Sequence, residues 1–134
     1  MALDKSQTII LAVDDDETLL NMYKERLEES GYKVVTATGG KEALSKIEEN
    51  LPNCVLLDIM MPKISGYDVL QTIRSNAKTK NIPVLMLTAL VQDTHKEKSL
   101  AEGADGYLIK SEVMPGEVIS RIEDAIKSKS NTSK

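Results

Sequence analysis

In the segment IILAVDDDETLL, residues 9–20, Asp14, Asp15, Asp16 and Glu17 follow directly on an apolar run. Two carboxylates held about 4 Å apart repel by roughly 4 kcal/mol at an effective dielectric near 20. Such a cluster at the end of a buried element takes up protons, opens, or holds a cation. Mg2+ suits it, because this hard dication takes one or two carboxylates, a carbonyl, several waters and a phosphate oxygen; Mn2+ is a workable substitute. Asp58 follows the run CVLL, Thr88 ends PVLMLT, and Lys110 follows GYLI. Acids, a hydroxyl and an amine are what phosphoryl transfer needs, since there the protein supplies mainly position and charge stabilisation. Asp58 would be the nucleophile. The cation, Lys110 and the Thr88 hydroxyl would meet the phosphoryl oxygens, and the small Ala89 would leave room for them. Singly, none of these residues is diagnostic. A DDD run is most often a solvated loop or a helix cap, Asp58 could be a turn residue ahead of Pro62 and Gly66, and a lysine after a strand is usually just solvated.

The elements that carry these residues alternate along the chain. Apolar, often β-branched runs at 8–13, 33–37, 54–58, 83–88 and 106–110 lack polar alternation, as strands covered on both faces do. Between them lie stretches with helical spacing. Leu20, Tyr23 and Leu27 share one face, stopped by Ser30-Gly31; Ala43, Leu44 and Ile47 form a second; Val69, Leu70 and Ile73 a third; Val118, Ile119, Ile122 and Ile126 a fifth, with Pro115 in the first turn. The fourth stretch, residues 93–102, offers only Leu100 and Ala101 as core residues, so loose packing is expected before Gly103 ends it. Repeated strand-then-helix units read as an α/β domain with a doubly wound parallel sheet. In that architecture ligands bind at the carboxyl ends of the strands, and this is where Asp14, Asp15, Asp58, Thr88 and Lys110 all fall. A single domain over 1–134 is expected, with a core over about 8–127 and a polar, fraying tail over 128–134.

Bulk properties exclude several classes. With 134 residues, 41% hydrophobic and 28% charged, the chain is globular and of one-domain size. Its formal net charge of −4 argues against nucleic acid as a partner. No apolar run approaches a membrane span, and MALDKSQT lacks a signal peptide's order, so a cytoplasmic protein is expected. The lone Cys54 reads as a small buried hydrophobe, and His95 as a solvated side chain. Gly39-Gly40 reads as turn chemistry, since no Gly-Lys-Ser/Thr follows.

The motifs ILAVDDDE, VLLDIMMPKISGYDVL, PVLMLTA and GADGYLIK together resemble, in order and spacing, the receiver domains of two-component response regulators. The resemblance spans about residues 8–127. It implies a flavodoxin-like (βα)5 fold with strand order 2-1-3-4-5, phosphorylation of Asp58, and a histidine kinase or histidine phosphotransfer protein as donor. It further implies Mg2+ held by Asp15, Asp58 and the Met60 backbone carbonyl, with Asp14 acting through water. Thr88 and Lys110 take the hydroxyl and lysine positions, and Tyr107 is the switch aromatic on a signalling face formed by the fourth helix, the fifth strand and the fifth helix, expected to turn inward on phosphorylation. The chain is then not an enzyme acting on other molecules; it transfers a phosphoryl group to its own Asp58 and slowly hydrolyses it. It would signal to an unknown downstream protein by contact, either as a stand-alone receiver or as one cut from a larger regulator or hybrid kinase.

Some positions depart from the family's pattern. Ser111 stands where proline, after a cis bond, usually follows the lysine, so a trans peptide is expected, with the docking of SEVMPGEV altered. Met60 and Leu90 occupy positions that are often polar in fast-hydrolysing receivers, and as apolar residues they predict a long-lived phosphorylated state. Two rival readings are a receiver-like module that is never phosphorylated and a Mg2+-dependent phosphohydrolase. The latter usually carries an aspartate two residues after its nucleophile, where this chain has Met60.

Overall fold

The computed structural model describes residues 4–132, with side chains through 129. Strands β1 (Ile9–Val13), β2 (Lys33–Ala37), β3 (Cys54–Leu57), β4 (Val84–Thr88) and β5 (Gly106–Ile109) form one sheet in the order β2-β1-β3-β4-β5, every neighbouring pair parallel. Helices α1 (Glu17–Glu29), α2 (Gly40–Asn50), α3 (Gly66–Ser75), α4 (Asp93–Ala101) and α5 (Pro115–Thr132) connect and follow them. This is the doubly wound parallel sheet that the alternating pattern predicts, in the flavodoxin-like strand order that the resemblance implies.

The strand runs are apolar throughout because successive side chains leave opposite faces of a sheet covered on both sides. Leu11, Val13, Val55, Leu57, Val84, Met86 and Tyr107 point to the face that Ala43, Ile47, Val69, Leu70 and Ile73 of α2 and α3 cover. Ile10, Cys54, Leu56, Leu85, Leu87 and Leu108 point to the other, against Tyr23 and Leu27 of α1 and Val118, Ile122 and Ile126 of α5.

Two expectations are corrected. The polar segment after residue 127 does not fray at once: α5 continues through Thr132, and Lys129 pairs with Asp105 at 3.3 Å. Residues 133 and 134 lie outside the described residues. In α4 neither Leu100 nor Ala101 supplies the core; Leu100 is 44% exposed, and Ser99 is the fully buried residue. The apolar positions of α4 do not coincide with its inward face, so the helix leans on α3 through polar groups, among them Gln71 Nε2 donating to Glu102 Oε1 at 2.9 Å.

At the rim opposite the carboxyl ends, Arg74 of α3 ties three segments together. Its guanidinium donates to the carbonyls of Gly103 at 2.9 Å, Lys80 at 3.0 Å and Ile82 at 2.7 Å, and pairs with Asp105 at 2.9 Å. The same Asp105 carboxylate accepts from the Val84 N–H at 2.8 Å.

The start of α3 meets the end of β3 through an unusually close approach. Ser65 and Asp68 form a reciprocal capping box at the helix N-terminus, and the Gly66 N–H donates to the Ile59 carbonyl at 2.9 Å. A Cβ at Gly66 would overlap the Asp58 carbonyl oxygen and lie 2.7 Å from Ile59 Cα. Gly66→Ala is therefore expected to push the Asp58 backbone away and to cost about 1–3 kcal/mol by overpacking. A fall in the urea midpoint, together with displaced amide signals at Asp58 and Ile59, checks it.

Candidate functional site

The parallel register places the chemistry. Val13 is paired with Leu57 in the β1–β3 ladder, so Asp14 and Asp58 leave the sheet side by side, and the Asp58 N–H donates to the Val13 carbonyl at 3.0 Å. Thr88 is paired with Ile109, and the Lys110 N–H donates to the Thr88 carbonyl at 2.8 Å. Residues far apart in the chain thus converge on one edge because the ladder continues up to them.

Asp14 and Asp58 are each only 4% exposed, a costly position for two charges unless they are compensated. The Lys110 ammonium lies between them, 2.7 Å from Asp14 Oδ2 and 3.2 Å from Asp58 Oδ2. Backbone N–H groups satisfy the remaining oxygens: Asp16 donates to Asp14 Oδ1 at 2.8 Å and Met60 to Asp58 Oδ1 at 3.3 Å. Burial pushes the Asp14 carboxyl above its ordinary range, with the Asp58 charge adding to that and Lys110 and the Asp16 N–H opposing it. Burial alone would lower the pKa of Lys110, yet the two carboxylates outweigh it and hold the ammonium above its ordinary value.

One ammonium cannot balance every acid here. Asp14, Asp15 and Asp58 each offer a carboxylate oxygen, all within 4.8 Å of one another. Asp15 is exposed, leaving that side open to solvent. An all-oxygen, anionic donor set of this size fits a hard dication such as Mg2+. Asp16 has a different task. Its side chain accepts from the Leu19 N–H at 3.2 Å and caps α1, so the ordinary cap reading of the DDD run holds for its third member.

Thr88 is fully buried, and its Oγ1 accepts from the Leu90 N–H at 3.4 Å. Tyr107, expected to turn inward on phosphorylation, already lies inward in this structure. Its ring is already buried, and its hydroxyl donates to the Leu90 carbonyl at 2.9 Å. The physical reason is that this carbonyl gives the hydroxyl a partner while the ring joins the apolar cluster of the α2–α3 face. Burial pushes the Tyr107 phenol up to about 12, with Tyr67 and Asp58 adding to it. Leu90 is thus held at its N–H by Thr88 and at its carbonyl by Tyr107. Met60 is 55% exposed, whereas Leu90 packs partly against the core. Both line an apolar groove with Ile59, Met61, Tyr67 and His95.

The peptides of the described residues, Lys110–Ser111 included, are all trans, as the absence of proline at 111 predicts. His95 is not simply solvated: its Nδ1 lies 2.9 Å from the Tyr67 hydroxyl. No spacing rule links two residues on different helices, so this contact had no signature in the sequence. Among the described residues no helix is long and apolar enough to cross a membrane.

A doubly wound sheet with buried acids, a hydroxyl and a lysine at one edge defines a class, and comparison with known proteins specifies it. The model of the response regulator receiver domain matches residues 10–123, and the chain belongs to that family, the receivers of two-component systems. It is 40% identical over 114 residues to the alkaline phosphatase synthesis transcriptional regulatory protein PhoP of Bacillus subtilis, covering 85% of this chain and 46% of that protein. It is 41% identical over 118 residues to the probable transcriptional regulator ycf27 of Guillardia theta, covering 88% and 45%. The chain therefore spans about half the length of these relatives. Among solved structures, the CheY-like receiver domain protein of Methanospirillum hungatei superposes with a TM-score of 0.85 at 31% identity, covering 92% of this chain and 97% of that one. The chemotaxis protein CheY4 of Vibrio cholerae does so at 0.82 and 30%, covering 88% and 98%.

Replacing Lys110 with Met removes the cation that opposes the burial of Asp14. The Asp14 carboxyl, already raised, is then expected to titrate at still higher pH in metal-free buffer, read from carboxyl carbon shifts. The raised Lys110 value also makes a signed statement about stability. Its contribution is complete below the ordinary 10.5 and is lost as pH rises through the shifted value. Urea midpoints should fall more steeply above that pH in the parent chain than in Lys110→Met.

Proposed function

We propose that this domain accepts a phosphoryl group on Asp58 from a histidine kinase or histidine phosphotransfer protein. The observation that carries the reading is the Lys110 ammonium seated between two buried carboxylates, beside a third acid facing solvent. Asp15, Asp58 and the Met60 carbonyl would hold Mg2+ directly and Asp14 through water. When bound, the ion neutralises charge on the acids and on the transferring phosphoryl group.

In the transfer, a carboxylate oxygen of Asp58 attacks phosphorus, an acyl phosphate O–P bond forms, and the donor's N–P bond breaks. The donor imidazole leaves and takes its proton from solvent. Lys110 exchanges its contact with Asp58 for one with a phosphoryl oxygen, which keeps its charge within the pocket. The Thr88 hydroxyl meets another of the oxygens. A new group of nearly two negative charges draws Thr88 away from the Leu90 N–H. Leu90 then loses one of its two supports, and Tyr107, which holds the other, responds. That chain of contacts would carry the change to the α4-β5-α5 face and to a downstream protein.

Incubation with acetyl phosphate and Mg2+, followed by intact mass, tests the reading. One phosphoryl group per chain is expected, absent without the dication and absent in Asp58→Asn. Turnover of many equivalents without an adduct would favour a phosphohydrolase instead, and no uptake under any condition would favour a silent interaction module.

The apolar pair Met60 and Leu90 also sets an expectation for lifetime. Water reaching the phosphoryl group meets a thioether on one side and an aliphatic side chain on the other, with no hydrogen-bonding group from either to orient it. Met60→Asn combined with Leu90→Gln is expected to shorten the half-life of the phosphorylated chain several-fold, measured by loss of label.

A further inference from the structure

Among the apolar side chains of the groove beside Asp58, a thioether is the kind whose polarity a single chemical step can change. Met60 is 55% exposed and lines that groove with Ile59, Pro62, Tyr67 and Leu90. Its own N–H donates to Asp58 Oδ1 at 3.3 Å, so the thioether belongs to a residue held directly against the phosphoacceptor carboxylate. The neighbouring Met61 is buried, as is Met86, and Met22 is half-buried. Among the described residues only Met114 is a more exposed methionine, at 73%. It stands at the entry to α5, where its carbonyl accepts from the N–H groups of Glu117 and Val118, and it does not line the groove.

Hydrogen peroxide oxidises a thioether in one step. A sulfur lone pair attacks one peroxide oxygen, the O–O bond breaks as the S–O bond forms, and the proton of the transferred oxygen passes to the departing hydroxide, which leaves as water. Sulfur gives up two electrons and the peroxide takes them. The reaction needs access to sulfur, and access is what separates Met60 from the adjacent Met61. The product replaces a flexible apolar chain end with a polar, chiral sulfoxide, which a reductase specific for each epimer converts back.

We propose that Met60 is a reversible oxidation site through which peroxide shortens the life of the phosphorylated state. The inference rests on the phosphoacceptor reading of Asp58 and adds a modification to it. With the thioether intact, water near a phosphoryl group on Asp58 finds no hydrogen-bonding partner on the Met60 side. The sulfoxide oxygen supplies an acceptor there, which takes one proton of a water molecule and leaves its lone pair free to face phosphorus. The backbone of Met60 is not altered by the reaction, so the N–H that meets Asp58 and the carbonyl beyond it keep their places. Peroxide therefore lowers the phosphorylated fraction by speeding loss rather than by blocking uptake.

The test treats the full chain with hydrogen peroxide and follows each methionine by peptide mass mapping before any phosphodonor is added. Met60 and Met114 are expected to gain oxygen several-fold faster than Met61 and Met86. Chains are then loaded with acetyl phosphate and Mg2+ and freed of donor, and the loss of phosphoryl mass is timed. The oxidised chain is expected to load and then to decay several-fold faster than the untreated one, and sulfoxide reductases applied before loading should restore the slower decay. Met114→Leu should keep the full response to peroxide, whereas treated and untreated samples of Met60→Leu should decay alike. Oxidation of Met60 no faster than of Met61, an oxidised chain that no longer loads, or acceleration that survives in Met60→Leu would each overturn the proposal. An untreated chain that gains no phosphate would overturn the phosphoacceptor reading and the lifetime role with it. Normal loading followed by an unchanged decay after oxidation would overturn the lifetime role alone.

Discussion

Everything at the active edge depends on one ammonium group placed between two carboxylates that the fold has removed from water. Lys110 Nζ touches both Asp14 and Asp58, and removing it would leave two buried carboxylates without their shared countercharge. The register of the sheet brings them there. Because Val13 and Leu57 are neighbours across a parallel ladder, the next residue of each strand is delivered to the same place without any loop having to search for it. The price is borne by Asp14, whose carboxyl burial pushes upward even with the lysine beside it. A dication joining the cluster of Asp14, Asp15 and Asp58 would act on this same imbalance.

Most of the architecture was legible in the sequence because it rests on periodicity. Continuous apolar runs marked strands covered on both faces, and the spacing of Leu20, Tyr23 and Leu27 or of Val118, Ile122 and Ile126 marked helices that cover them. The convergence of Asp14, Asp58, Thr88 and Lys110 was legible for a topological reason, since all parallel strands end on the same side. What the sequence concealed has no period. The inward residue of α4 is a serine rather than Leu100, a choice that hydropathy cannot indicate. Tyr107 already lies inward because a backbone carbonyl at Leu90 accepts its proton, and backbone positions in loops leave no trace in residue types.

The DDD run shows how adjacent residues of one type divide the work. Asp14 is buried and bonded to lysine, Asp15 is open to solvent, and Asp16 turns back to cap α1. Three identical side chains thus occupy a rigid, an accessible and a structural position within three residues. The cap fixes the entry of α1, and through it the loop that carries the other two. Leu90 plays a comparable linking part on the other side of the pocket, joined to both Thr88 and Tyr107 through its own backbone.

Arg74 anchors one end of α4. By bonding the Gly103 carbonyl and Asp105, it nails down the segment just past the C-terminal end of α4, while the other end is attached through the short loop from Thr88. A helix of nine residues is about 13 Å long. Because it is fastened at the rim farthest from Asp58, any tilt about that anchor has its largest travel at the other end, beside the loop from Thr88.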